Sequence, residues 1–352
     1  MKRILVLFLA LLLLAGCGAQ PPAETTVATT EATETTEATE PPTTEPRRRE
    51  DMQILISLPK EASPWKEAGE DLLMLLENLC YRVTLSYCDG DSLTQAQQLE
   101  EAIQNNFDCI LLAPVDSAAL AETCNLALEQ NIPIIAYDRM VMDTEAVQYY
   151  IAFDYKAMGR AMAEHIVEKT APDTAEKPLT IEFFMSAPED NSAFLLYAGV
   201  MEILQPYLEE GKLVAKSGRT AFEDTCVLEN DAAAVEKAMR SYLQDYYKGT
   251  RPDIVCTASD AFAAACITAI EARKRELPLI TGVGATEAGL ANIAAGKQSF
   301  TVQTDLYLLD EKAVALVDAI LWGKEPELND TENTHNNAAT IPSYLCEFTV
   351  KP

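Results

Sequence analysis

The chain has 352 residues, of which 27 are Lys or Arg and 55 are Asp or Glu, for a formal net charge of −28. A surface this acidic argues against nucleic acid and against adhesion to anionic lipid. Only two histidines, His165 and His335, are present, and none of the nine cysteines forms a Cys-x-x-Cys pair, so no metal site of His-rich or zinc-ribbon type is expected.

The first residues read as an export signal. Lys2 and Arg3 precede an uncharged apolar run, Ile4 to Leu14, and then Leu14-Ala15-Gly16-Cys17. This is the pattern of a bacterial lipoprotein precursor, with Cys17 as the lipidated residue and residues 1–16 removed. The run is too short for a comfortable transmembrane span of about 20 residues. Residues 17–50 form the lipidated Cys and a tether built largely of Thr, Glu, Ala and Pro. Such a segment cannot bury a core, and its r.m.s. reach would be on the order of 30 Å. Arg47-Arg48-Arg49 reads as the solvated end of that tether, or as a contact for anionic headgroups or wall polymer. Lys2, Arg3 and the tether's seven Glu and three Arg leave the chain from 51 onward at −26.

Beyond residue 50, strand and helix patterns alternate. Met52–Leu58 reads as a strand and Trp65–Leu79 as a helix. Tyr81–Tyr87 follows as a strand, then a helix Leu93–Asn105 capped by Ser92. Cys109–Leu112, a helix Ser117–Gln130 and Ile132–Tyr137 continue the series. After Tyr149–Phe153 the rhythm restarts, with helices at Tyr155–Glu168, Asn191–Leu208, Ala232–Tyr247, Asp260–Arg273, Glu287–Ala295 and Leu308–Leu321. Strands are expected at Leu179–Met185, Leu213–Lys216, Ile254–Thr257, Pro278–Gly282 and Ser299–Val302. Repeats of this length predict an α/β fold with two doubly wound parallel-sheet lobes. Cys109, Cys256 and Cys266 lie in apolar runs, which favours buried free thiols over a disulfide framework.

In such sheets, ligands sit beyond the carboxyl ends of the strands. That rule selects Pro59–Trp65, Pro114–Asp116, Asp138–Arg139, Ser186–Asn191, Ser259–Asp260 and Gly282–Glu287. Two lobes facing one another across these segments would close on a solute by hinge motion.

Several stretches resemble the periplasmic xylose-binding and multiple-monosaccharide-binding proteins of sugar ABC transporters. They are Ile135-Ala-Tyr-Asp-Arg-Met140 with Tyr149-Tyr-Ile-Ala-Phe-Asp154, Pro188-Glu-Asp-Asn191, the segment from Gln205 to Gly218, Gly323 to Asp330, and Ile341-Pro-Ser-Tyr-Leu345. The resemblance covers nearly all of the chain from 52 on. It implies the type I periplasmic binding fold, with hinge crossings near Asp154, Gln303–Thr304 and Ala339–Ile341. The implied division is a first lobe of 51–153 plus 304–340 and a second of 154–303 plus 341–352. It further implies that Asp138, Arg139, Asp190, Asn191, Ser259, Asp260, Trp65 and Thr304 line the ligand site, since charge-assisted bonds fix hydroxyl geometry. Four positions depart from the family's pattern: Pro64 replaces an Arg, Ser192 an Asn, and Thr304 a hinge Lys, while Gly282-Val283-Gly284 lacks a carboxylate. Gln303, Glu287 and Glu61 are candidates to compensate. The ligand is therefore expected to be a monosaccharide or sugar-like solute other than the family's usual aldose.

Plainer roles stand beside these. Asp138-Arg139 could brace the hinge, Asp190 and Asp260 could cap helices, and Trp65 could be core. No nucleophile elbow, His-containing triad or phosphate-cradling Gly loop is present, so neither an enzyme nor a cofactor is expected. The expected partners are a small solute and an ABC permease and ATPase or a sensor receptor. The expected site of action is the outer face of the cell membrane, as a lipid-anchored monomer.

Overall fold

The computed structural model describes residues 47–352; the expected export signal, Cys17 and the expected tether up to Pro46 lie outside the described residues. The first lobe is built from β1 (Gln53–Leu58), α1 (Trp65–Asn78), β2 (Arg82–Tyr87), α2 (Ser92–Gln104), β3 (Cys109–Leu112), α3 (Ala121–Glu129), β4 (Ile134–Tyr137) and β5 (Val147–Phe153). The second runs through α4 (Tyr155–Thr170), β6 (Leu179–Phe184), α5 (Asn191–Glu209), β7 (Leu213–Val214), α6 (Phe222–Thr225), α7 (Ala232–Asp245), β8 (Ile254–Thr257), α8 (Asp260–Glu271), β9 (Leu279–Ile280), α9 (Glu287–Ala294) and β10 (Thr301–Thr304). The chain then returns through α10 (Leu306–Leu321), β11 (Ser343–Cys346) and β12 (Phe348–Lys351).

The first sheet has the order β11-β5-β4-β3-β1-β2, parallel throughout. Its central strands, β3 (Cys-Ile-Leu-Leu) and β4 (Ile-Ile-Ala-Tyr), are buried at every residue. That is what a parallel strand with helices on both faces requires. The second sheet, β7-β6-β8-β9, is also parallel. The expected α/β class and doubly wound parallel sheets are present. Buried Gln95 ties the strand ends together. Its Nε2 donates to Ala113 O at 2.9 Å and Ser57 Oγ at 3.1 Å, and its Oε1 accepts from Val115 N–H at 2.8 Å.

Helices α4 and α5 pack closely because Gly159 meets Gly199. A Cβ on Gly159 would lie 2.1 Å from Leu196 O, and one on Gly199 would lie 2.0 Å from Lys156 O. This contact sets the middle of α5 against the first turns of α4, where the chain leaves β5. Asp154 caps α4, its Oδ1 accepting from Ala157 N–H at 2.8 Å.

Several expectations are corrected. Asp91, not Ser92, caps α2, accepting from Leu93 N–H and Thr94 N–H. The helix expected from Ser117 begins at Ala121, because Ser117 is engaged elsewhere. Residues 341–352 do not all join the second lobe: β11 pairs in parallel with β5 of the first sheet, whereas β12 pairs antiparallel with β10. The third crossing therefore falls at Glu347, and α10 packs on α1 of the first lobe. The arginine run is solvated at Arg47 and Arg48, but it also contacts the folded domain. Arg47 pairs with Asp108 at 2.6 Å. Arg49 bonds Asp318 and lies 5.3 Å from the Trp322 ring and 5.8 Å from the Tyr81 ring. Asp108 and Asp318 offer the arginines carboxylates on an acidic domain. The described cysteines are all free, and Cys109, Cys256 and Cys266 are buried.

Candidate functional site

Five of the eight expected ligand residues meet between the lobes. Trp65 opens α1 and is 7% exposed. The Arg139 guanidinium lies over its ring at 5.0 Å, a cation–π contact. Arg139 Nε lies 2.9 Å from Asp190 Oδ2, with both side chains largely buried. This is a close charge contact rather than an aligned hydrogen bond, since that N–H has no acceptor in line. Nη1 donates weakly to Pro114 O and Val115 O at 3.4 and 3.3 Å. Arg139 follows β4 of the first lobe and Asp190 precedes α5 of the second, so the pair bridges the lobes.

Two further bonds cross the same boundary. Ser117 N–H donates to Glu189 O at 2.9 Å, and Asn191 N–H donates to Ser117 Oγ at 3.2 Å. Asp190 also caps its own helix, with Oδ1 accepting from Ser192 N–H and Ser192 Oγ. Asp190 therefore caps its helix with one oxygen, as expected, and meets Arg139 across the boundary with the other.

Asp138 has φ 61°, in the left-handed region that Asp tolerates better than most residues. The conformation is held at three points. Its N–H donates to Ile151 O at 2.7 Å, its carbonyl accepts from Tyr150 Oη–H at 2.9 Å, and its Oδ1 accepts from Tyr155 Oη–H at 2.6 Å. Burial pushes its carboxyl up to about 6, against the stabilising Tyr155 bond. Beneath it, Tyr137 donates to Asp310 Oδ1. Asp310 is fully buried, its second oxygen has no partner, and burial pushes its carboxyl up to about 8.

The other three expected residues stand apart. Asp260, 2% exposed, is taken up within its own lobe. Oδ1 accepts from Gln298 Nε2 at 2.8 Å and Thr301 Oγ1 at 2.7 Å, while Oδ2 accepts from Thr286 N–H at 2.7 Å and Thr286 Oγ1 at 3.0 Å. Two carboxylate oxygens accept about four bonds, so Asp260 has no free acceptor for a ligand, and its expected sugar contact is replaced by a structural role. The room for this fold-back comes from glycines: a Cβ at Gly282 or Gly289 would lie 2.2 Å from an Asp260 oxygen. Ser259 caps α8, with Oγ accepting from Phe262 N–H. Thr304 ends β10 opposite Phe348, on the hinge strands.

A cleft of about 970 Å³ opens beside this cluster. Its walls include Met140 and Tyr150 of the first lobe, Tyr155 and Asn191 of the second, the Asn329–His335 loop, and the hinge residues Leu345 to Phe348. Tyr150, Tyr155 and Ser117 are the residues that sequence reading missed as site elements. The only signal for the tyrosines was their place on either side of the hinge at Asp154.

Two parallel-sheet lobes, three crossings between them and polar strand-end groups meeting at their boundary define a hinged two-lobed binding protein. The chain belongs to the periplasmic binding protein family, whose domain model matches residues 54–325. It is 31% identical over 296 residues to the multiple sugar-binding periplasmic receptor ChvE of Rhizobium radiobacter, covering 82% of this chain and 84% of that one. It is 29% identical to the D-xylose-binding periplasmic protein of Escherichia coli, covering 80% of each. Among solved structures, it superposes with a TM-score of 0.81, at 33% identity, on an ABC transporter solute-binding protein from Clostridium phytofermentans with bound β-D-glucose. That match covers 85% of this chain and 93% of the other.

Proposed function

We propose that this protein is an extracytoplasmic solute-binding lipoprotein that captures a monosaccharide or sugar-like ligand between its lobes and delivers it to an ABC importer. The observation that carries this reading is the Arg139–Asp190 contact across the lobe boundary, beside the Trp65 ring. A hydroxylated ligand entering there would meet the Arg139 cation on one wall and Asp190 with Asn191 on the other, Arg139 itself resting on the Trp65 ring. It gains contacts to both lobes only when they close, which is how a hinged receptor couples binding to closure. The names of the relatives support sugar as the ligand class. Cys17 is the proposed lipid anchor, and the protein acts as a monomer with no catalytic step.

Asp138, Arg139, Asp190, Asn191 and Trp65 are the proposed ligand contacts. Ser259 and Asp260 support the second lobe from behind, and Thr304 belongs to the hinge. The test is a thermal-shift and calorimetric screen of the chain from residue 18 on against mono- and oligosaccharides, polyols and nucleosides. A ligand at 100 times its Kd raises stability by about 2.7 kcal/mol, so a true ligand gives a clear shift. Unchanged affinity in Arg139→Ala would remove this site from consideration.

A further inference from the structure

Helix α5 meets the lobe boundary with its amino end. The first N–H groups of a helix have no partner inside it and must find one elsewhere. At α5, Ser192 N–H is taken by the Asp190 carboxylate of the same lobe. Asn191 N–H instead donates to Ser117 Oγ of the first lobe, at 3.2 Å. Ser117 N–H donates in return to Glu189 O at 2.9 Å. One residue of the first lobe thus holds the backbone of the second with both a donor and an acceptor. Ser117 is 6% exposed, so these bonds are shielded from water.

The loop that carries Ser117 is fixed within its own lobe. Val115 N–H donates to Gln95 Oε1 at 2.8 Å, Ala118 N–H to Asp116 Oδ1 at 2.9 Å, and Met142 N–H to Ser117 O at 2.6 Å. Arg139 reaches the same loop through Pro114 O and Val115 O, and meets Asp190 across the boundary at 2.9 Å. The segment from Glu189 to Asn191 is therefore held against the first lobe at three successive residues. Ser117 engages only main-chain groups there, so its bonds do not depend on which ligand the lobes enclose. The Asn191 side chain meanwhile lines the interlobe cleft. The clasp on its N–H sets where that side chain stands.

We infer that Ser117 is a positioning residue for closure: it caps α5 from the opposite lobe, and so fixes the closed lobe orientation and the place of Asn191 at the ligand. The inference rests on the sugar-receptor reading above and deepens it, by naming a residue that acts through the lobes rather than on the sugar. Opening the hinge hands Asn191 N–H and Glu189 O to water, and each exchange forfeits about the net worth of one hydrogen bond. These bonds add to the closed state with any ligand. A more populated closed state raises apparent affinity in proportion.

The experiment measures the distance between the lobes with a pair of spin labels on the chain from residue 18 on. Leu93→Cys and Leu228→Cys carry the labels, one on each lobe, at positions 66% and 65% exposed. Cys80→Ser and Cys226→Ser remove the two described cysteines that are not buried. Ser117→Ala deletes the hydroxyl and Ser117→Thr keeps it, with thermal unfolding to verify that each variant folds. Before sugar is added, the ratio of closed to open distances is expected to fall about fivefold in Ser117→Ala, the worth of one hydrogen bond. Calorimetry with glucose and xylose is expected to show a matching loss of affinity for whichever binds, and Ser117→Thr to restore both readings. Equal distance distributions in the native chain and Ser117→Ala would overturn the inference. So would a loss in Ser117→Thr as large as in Ser117→Ala, which assigns the effect to shape. Weaker binding at an unchanged lobe distance makes Ser117 a ligand contact and overturns it as well. If neither sugar binds, the sugar reading loses its support, while the distances still decide the role of Ser117.

Discussion

Asp138 and Asp260 occupy matching places, just past the carboxyl ends of β4 and β8, and the two lobes use them in opposite ways. Asp260 is closed in by its own lobe. Gly282 and Gly289 leave a space its carboxyl fills, and Thr286, Gln298 and Thr301 supply its four bonds. Asp138 has one side-chain donor, Tyr155, and shares its surroundings with Asp190 of the opposing lobe. A strand-end carboxylate is therefore a ligand contact only where its neighbours leave acceptors free. The strand-end rule locates such residues but does not count their partners.

Four predictions test that contrast, in order of expected effect. Asp260→Ala should destabilise the protein by about 4 kcal/mol, because four donors lose their partner in a dry site. Urea unfolding measures this, and a loss under 1 kcal/mol would return Asp260 to the list of ligand contacts. Asp310 shows the reverse condition, burial with a single donor. Its carboxyl sits near 8 when folded and near the ordinary 3.9 when unfolded, so folding takes up a proton across that window. Stability should therefore fall as pH rises from about 4 to 8, by roughly 3 kcal/mol between pH 5 and 8. Asp310→Asn should flatten this slope in pH-dependent denaturation. Gly289→Ala should cost about 2 kcal/mol by pushing a methyl into the Asp260 carboxyl, and Asp260→Ala should relieve most of that cost in a double-mutant cycle. Arg139→Ala should weaken ligand binding by roughly 30-fold, about 2 kcal/mol, and should also lower the unfolding midpoint of the free protein, because Asp190 loses its largely buried counter-charge.

Much of the fold was legible because burial on both sheet faces writes itself as short apolar runs. Cys109–Leu112 and Ile254–Thr257 were read to the residue. The last two strands escaped because Ser343–Cys346 and Phe348–Lys351 carry only weak apolar patterning. Their pairing is decided by partners β5 and β10, far away in sequence. The helix expected from Ser117 failed for a similar reason: its N–H and hydroxyl are used by Glu189 and Asn191 of the other lobe. At the site, the Asp138-Arg139 and Asp190-Asn191 pairs were visible as polar residues after apolar strands. The tyrosines around Asp138 were not, since nothing local marks a hydroxyl aimed across a hinge.

The sequence by itself determined the alternation of strand and helix, the two parallel sheets, the strand-end segments that face the boundary and the acidic character of the domain. These follow from local periodicity and composition, which each segment carries alone. Only the tertiary structure decided that Arg139 meets Asp190 across the lobes, that Asp260 turns inward, and that Arg47 and Arg49 contact the folded domain. Each of those outcomes depends on which donors, acceptors and empty volumes distant segments bring to the same place, and no stretch of the chain encodes that separately.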